Sequence, residues 1–268
     1  MSSPFSVLMS TYHLEKPELL DRALESIFSN DLVPEQVVLV IDGPIGLELR
    51  SVVDRYRSFP SLDVIELERN VGLAKALNIG LSSVRNVFTL RCDSDDFNLP
   101  FRFRKQMLVL DSGFDLVGSQ IFEFDNFGNC LGSRRVPLGS VEIRNFCLRR
   151  NPFNHMTVGF RTDKARILGG YPLIPFKEDY GLWLKFIASN FEFMNVSNVW
   201  VHATTGDQFF RRRSGFAVIS SEFDLQKLSY DLKLKSFFRA GLDFFSRVLI
   251  LSLPFSLKKF LYRVLFRD

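Results

Sequence analysis

Three carboxylates, Asp93, Asp95 and Asp96, fall within the four residues DSDD that follow the apolar, strand-like segment FTLR and the pair Arg91-Cys92. Carboxylates spaced this closely repel one another unless a cation or hydrogen-bond donors neutralise them. An all-oxygen set suits a hard divalent ion such as Mg2+ or Mn2+, which commonly shares its shell with substrate phosphates. The alternative is an exposed acidic turn; position at a strand end, with Asp42 at another strand end, favours the metal. A second acidic pair, Glu178-Asp179, opens EDYGLWLKF, whose Tyr180, Leu182, Trp183 and Phe186 recur at helical spacing. Carboxylates in a first helical turn are stabilised by the helix dipole, and one facing a substrate pocket can act as a general base. From the residues alone the pair reads first as a cap.

The elements that must position these groups alternate in type. Residues 5–9 (FSVLM), 37–41 (VVLVI), 62–67 and 87–91 read as buried strands, and their ends carry Thr11-Tyr12, Asp42 and the acidic cluster. Helical spacing follows Pro17 and recurs over 47–59 and over 72–81, the last entered through Asn70. Alternation with short turns predicts an α/β chain with a parallel sheet and crossover helices. Ligands in such sheets bind beyond the carboxyl ends of the strands. The G-x-G-x-x-G turn of dinucleotide oxidoreductases is missing after VLMS. Past Pro100, residues 101–110, 141–148 and 177–189 read as helices and 191–201 as strand. Residues 115–124 and 130–136 flank the turn DNFGN as a hairpin. The expected organisation is one domain over 1–222, with halves 1–100 and 101–222, followed by a helical tail over 223–268.

Composition bounds the reading. With 46% hydrophobic and 24% charged residues in 268, the chain can bury a sizeable core and is neither disordered nor fibrous. Cys92, Cys130 and Cys147 are too few and scattered for a disulfide scaffold or a four-ligand zinc site. With no basic and apolar leader at the start, they predict a reducing compartment, the cytosol. Residues 224–268 hold nine Lys and Arg against four Asp and Glu, a net +5, so the basic character belongs to the tail. No basic stripe accompanies a nucleic-acid-binding motif in the body. The tail's longest uncharged stretch, 248–257, contains Pro254 and is ten residues, against roughly 20 for a bilayer span. Phe237, Phe244, Phe255 and Phe260 beside Arg239, Arg247, Lys258, Lys259, Arg263 and Arg267 suit a helix lying in a membrane interface. Packing back onto the body, or an oligomer contact, is the alternative.

In order along the chain, FSVLMSTYH, VVLVIDGP, RNVGLAKALNIGL, RCDSDD, NPFNHMTVGFR and KEDYGLWLKF resemble the family 2 glycosyltransferases of bacterial surface-polysaccharide synthesis, of the amylovoran and O-antigen type. The resemblance spans residues 5 to about 187, and the hairpin SQIFEFDNFGN also fits. It implies a GT-A fold, a Rossmann-like mostly parallel sheet flanked by helices, with a nucleotide-sugar donor, a divalent cation and inversion at the anomeric carbon. By position it implies that Thr11 and Tyr12 line the nucleobase and ribose pocket, that Asp42 hydrogen-bonds the base, and that Asn70, Gly72 and Lys75 border the nucleotide. Asp93 would contact ribose or metal, Asp95 would be the main metal ligand, and Asp96 would orient the sugar. Asp179 would be the base, supported by Glu178.

Where processive synthases carry Gln-x-x-Arg-Trp, this chain has Gln208-Phe209-Phe210-Arg211-Arg212, which argues against processivity. Arg211 to Arg213 either neutralise the leaving diphosphate or form a solvated loop. His202 either completes the metal shell or is a satisfied strand histidine, and His155 either serves the acceptor side or makes a structural hydrogen bond. The implied activity is transfer of a sugar to a polyprenyl-diphosphate-linked glycan, at the cytoplasmic face of the plasma membrane, with the tail as peripheral anchor. A non-catalytic nucleotide-sugar-binding assembly subunit is the alternative; it would be expected to lose Asp95 or Asp179, and both are present.

Overall fold

The first four strands form the expected parallel sheet, in the order β3 (Leu62–Glu66), β2 (Gln36–Ile41), β1 (Phe5–Thr11) and β4 (Phe88–Arg91). Helices α1 (Pro17–Phe28), α2 (Leu47–Tyr56) and α3 (Leu73–Ser83) make the crossovers. β1 and β2 are buried along their whole length because both faces are covered. Val7, Met9, Val37 and Leu39 join the core that holds Leu20, Leu24 and Val53, whereas Leu8, Val38 and Val40 join Ala76, Leu77 and Leu81 on the other side. That two-sided burial explains why these strands are continuous apolar runs. The computed structural model describes residues 3–125, 127–205 and 216–251.

Beyond β4 the sheet changes character. β4 pairs antiparallel with β8 (Gly159–Arg161), which pairs antiparallel with β6 (Leu116–Phe124). β6 then pairs in parallel with β9 (Phe193–Thr204) and antiparallel with β7 (Cys130–Arg134). β9 ends the path against β5 (Phe97–Asn98). The expectation of a mostly parallel sheet therefore holds for the first half and not for the second. β5 and β8 have two and three residues, too short to show a hydrophobic period.

Helices α4 (Arg102–Asp111), α5 (Ser140–Phe146), α6 (Thr162–Ile167), α7 (Glu178–Ala188), α8 (Phe216–Asp231) and α9 (Phe237–Leu251) complete the described residues. α7 is the central helix of the second half, with Trp183, Leu182 and Phe186 at 0% exposure. A domain boundary at 222 falls inside α8, which runs through it unbroken. Leu225 is buried in the second core, Leu228 lies against Gly181 of α7, and Glu222 pairs with Lys177 at 3.2 Å. α8 therefore packs as part of the body, and α9 lies against it. Arg211 to Arg213 and the tail residues Phe255, Lys258, Lys259, Phe260, Arg263 and Arg267 lie outside the described residues.

Candidate active site

The carboxyl ends of the parallel strands line up on one edge. Thr11 is opposite Ile41 and Leu8 opposite Arg91, while the Asp42 N–H donates to the Thr11 carbonyl at 2.8 Å. Thr11 is 1% exposed and its Oγ1 has no partner among the described residues. Tyr12 follows it with its ring edge-on to His13. Both carboxylate oxygens of the buried Asp42 accept backbone N–H groups, from Val71 at 2.7 Å and Gly72 at 3.0 Å. Asn70 returns a bond from its side-chain amide to the Asp42 carbonyl at 3.1 Å. Asp42 thus ties the loop before α3 to the end of β2, which brings Asn70, Gly72 and the exposed Lys75 to the same edge as Thr11. Gly72, the N-cap of α3, sits at φ 88 and ψ 153, a conformation essentially confined to glycine.

The acidic cluster sits on the same edge. Asp93, Asp95 and Asp96 each offer an oxygen within 4.8 Å of the others. Five polar residues hold the turn. Arg91, 2% exposed, pairs with Asp93 Oδ1 at 2.7 Å and also donates to the carbonyls of Leu8 and Cys92. Arg102, fully buried at the start of α4, donates to the Arg91 carbonyl at 2.7 Å. Arg22 of α1 and Thr204 at the end of β9 both donate to the Asp95 carbonyl, at 3.1 and 2.7 Å, and the Thr204 N–H donates to Asp96 Oδ1 at 2.8 Å. Glu15 joins from the loop after β1, accepting the Ser94 hydroxyl at 2.5 Å. Sequence reasoning missed Arg91, Arg102, Arg22, Thr204 and Glu15. Only Arg91 had a local signal, as a charge at the end of an otherwise apolar strand.

The cluster fits a hard divalent cation on its own chemistry. Burial, then Asp93, then Glu15 push the Asp95 carboxyl up to about 7. Asp96 is pushed well above the carboxylate range by burial and by Asp95 and Asp93. Its Oδ2 is buried without a hydrogen-bond donor among the described residues. Burial and mutual repulsion therefore outweigh the nearby arginines, and the donor set is oxygen only.

His202 stands apart from this set. Its register opposite Phe97 of β5 and Phe122 of β6 puts the ring among Phe97, Phe122 and Phe124, at centroid distances of 6.2, 6.1 and 4.8 Å. Burial first, then Arg22, hold its pKa down. Of the two readings of His202 left open by the sequence, the packing among these rings favours the strand histidine.

A second group of residues gathers at the start of α7. Asp179, in the first turn of α7, accepts the Asn151 side-chain amide on Oδ2 at 2.6 Å. Glu178 beside it is buried. His155 Nε2 lies 3.2 Å from the Tyr171 hydroxyl. Both rings feel Arg91, Asp93 and Asp179, so both are in electrostatic reach of the acidic turn and of the start of α7. Burial is the larger influence on each, lowering His155 and raising Tyr171. Asn78 of α3 clamps the backbone of Tyr171 with two bonds of 2.8 Å. Helix α3, which starts at the strand-end edge, thereby fixes the turn that leads into α7.

The profile of the family described as "Glycosyl transferase family 2" matches residues 6–168. The chain is 38% identical over 260 residues to the amylovoran biosynthesis glycosyltransferase AmsE of Erwinia amylovora, covering 96% of this chain and 97% of that one. It is 32% identical over 266 residues to a UDP-Gal:alpha-D-GlcNAc-diphosphoundecaprenol beta-1,3-galactosyltransferase of Escherichia coli, covering 98% and 96%. Among solved structures it resembles residues 1–349 of TarS of S. aureus with a TM-score of 0.67 at 20% identity, covering 98% of this chain and 74% of that one. At that identity the likeness speaks for the fold.

Proposed function

The chain belongs to glycosyl transferase family 2, and on that premise we propose that it transfers a sugar, with inversion, from a nucleotide-sugar donor to a polyprenyl-diphosphate-linked glycan during bacterial surface-polysaccharide assembly. The observation that carries the reading is the cluster of Asp93, Asp95 and Asp96 at the strand-end edge, with His155 and Tyr171 in electrostatic reach of both Asp93 and Asp179. Thr11, Tyr12 and the loop held by Asp42 would receive the base and ribose, with Asn70, Gly72 and Lys75 bordering them. A divalent cation held by Asp95 and Asp93 would neutralise the donor diphosphate and favour its departure. Asp96, anchored by Thr204, is assigned to the sugar. Asn151 orients Asp179 through Oδ2, and Oδ1 is the oxygen assigned to the acceptor's hydroxyl proton. Direct displacement needs this base on the face opposite the departing diphosphate, with Glu178 supporting its position. A lipid-linked acceptor is supported by the name of the similar Escherichia coli enzyme, which specifies a diphosphoundecaprenol acceptor and UDP-Gal. The basic tail supports attachment to the inner face of the plasma membrane; no helix among the described residues is long and apolar enough to cross one.

The test is a transfer assay on a diphosphate-linked GlcNAc lipid, with UDP-, GDP- and dTDP-sugars in Mn2+ or excess EDTA. Transfer from one nucleotide class, lost in EDTA, is expected. Asp179→Asn should slow turnover roughly 10²–10⁴-fold with nucleotide affinity nearly unchanged. Collapse of nucleotide affinity with surviving turnover would make Asp179 a helix cap.

A further inference from the structure

Thr204, the last residue of β9, grips two consecutive aspartates in two different ways. Its hydroxyl donates to the Asp95 carbonyl at 2.7 Å, and its N–H donates to Asp96 Oδ1 at 2.8 Å. Strand register puts it there. β5 and β9 pair antiparallel with Asn98 opposite Val201 and Phe97 opposite His202, and the same register carried two residues outward sets Asp95 opposite Thr204. β5 begins only at Phe97, so at this step the threonine side chain and the Asp96 carboxylate take over from the backbone ladder.

Arg22 closes the arrangement from α1. Its Nη2 donates to the Asp95 carbonyl at 3.1 Å and to the Thr204 hydroxyl at 2.9 Å. The hydroxyl therefore accepts from the guanidinium while donating to the carbonyl that the guanidinium also holds. One hydroxyl oxygen can do both; an apolar side chain of the same shape can do neither. The ring of bonds acts on the backbone of Asp95. Because the peptide group is planar, holding the Asp95 carbonyl holds the whole unit between Asp95 and Asp96, and with it the directions in which both side chains leave the turn. The Thr204 N–H meanwhile occupies one oxygen of Asp96 and leaves Oδ2 buried, without a donor among the described residues.

We propose that Thr204, braced by Arg22, is a positioning residue for the acidic turn. Its hydroxyl keeps the Asp95 carboxylate directed with Asp93 at the cation, and its N–H reserves Asp96 Oδ2 for the donor. Both residues act through the aspartates. This rests on the reading of Asp95 and Asp93 as cation ligands given above.

The probe is Mn2+ alone, titrated into the full chain and followed by loss of the free-ion signal in electron paramagnetic resonance. Thr204→Val keeps the N–H and the branched shape and removes the hydroxyl. It is expected to weaken Mn2+ binding by about tenfold, the scale of one lost hydrogen bond at a part-buried group. Thr204→Ser should stay within about twofold of the wild type, and Arg22→Gln should lose about threefold, one exposed charge-assisted bond being worth less. In transfer assays the rate lost in Thr204→Val should return at high Mn2+, because affinity is what fell; a merely structural defect would not be rescued by the metal. If Thr204→Val melts early in EDTA, Arg22→Gln decides, since Arg22 is exposed. Wild-type Mn2+ affinity in the deciding variant, or Thr204→Ser binding as weakly as Thr204→Val, overturns the positioning role. A wild type that takes up no Mn2+ fails the cation reading itself, whatever the variants do.

Discussion

Asp95 and Asp96 are held where their charge is unwelcome, and this sets how the protein should respond to pH. Both carboxyls have folded pKa values raised above the ordinary range, Asp95 to about 7. A group that binds protons more tightly when folded makes stability fall as pH rises from its unfolded value, about 4, through its folded one. In EDTA, the contribution of Asp95 is thus most unfavourable above pH 7 and vanishes near pH 4. Asp95→Asn should raise the melting temperature at pH 8 by several degrees, at roughly 2–4 °C per kcal/mol for a chain of this size. The gain should shrink toward pH 5. Mn2+ should stabilise the wild type at pH 8 and leave the variant nearly unmoved. Scanning fluorimetry reads all four arms. A variant that melts below the wild type at pH 8 in EDTA would show that Arg91 and Arg102 already balance the cluster.

The element that does most to build the edge assigned to the nucleotide in the proposed function is the loop between β3 and α3, and its docking depends on two glycines of different kinds. Gly72 has φ 88 but open space where a Cβ would go, so Gly72→Ala should cost only backbone strain, about 1–3 kcal/mol. Gly43 has φ 89, and a Cβ there would lie 2.6 Å from the Asn70 backbone nitrogen. Backbone pressed against backbone cannot yield as a flexible side chain can. Gly43→Ala should therefore lose more stability than Gly72→Ala in urea denaturation, and it should also weaken nucleotide binding by parting Asp42 from Val71 and Gly72. Equal losses would mean that the loop relaxes freely and is not clamped by Asp42.

At the scale of the molecule, the described chain is a body that ends with α8 and a helix, α9, that is fixed on one face and apolar on the other. Phe244, expected from sequence to enter the membrane, packs edge-on to Phe223 of α8 at 5.8 Å, while Phe238, Leu242, Phe245 and Leu249 are exposed. Two truncations separate these parts. Ending the chain at 222 removes Leu225 from the second core and Leu228 from its place against Gly181, and loss of a buried leucine costs about 2–5 kcal/mol; that protein should melt early or aggregate. Ending it at 235 keeps α8 and should preserve most of the melting temperature. Flotation with anionic liposomes should then capture the full chain, less so in high salt, and not the 1–235 protein. Capture of the shorter protein would move the lipid contact to the body.

Much of this was legible from the chain alone. The continuous apolar runs of β1, β2 and β4 each end in a polar residue, and a parallel sheet brings such ends to one edge. Thr11, Asp42 and Asp93 were accordingly found together from local pattern. Periodicity also marked α7 and put Glu178-Asp179 in its first turn. The rest depended on contacts between residues far apart in sequence. β5 and β8 exist because β9 and β4 supply their hydrogen bonds, not because two or three residues prefer to be extended. His202 is set among phenylalanines by a strand register that local spacing does not show. Thr204 and Arg22 reach Asp95 across 109 and 73 residues of chain, and Arg247 meets Arg149 across 98. Local spacing settles what a strand or helix buries. Which distant charge stands beside a carboxylate is settled only when the sheet closes and the tail helix packs, because burial and proximity are properties of the folded packing.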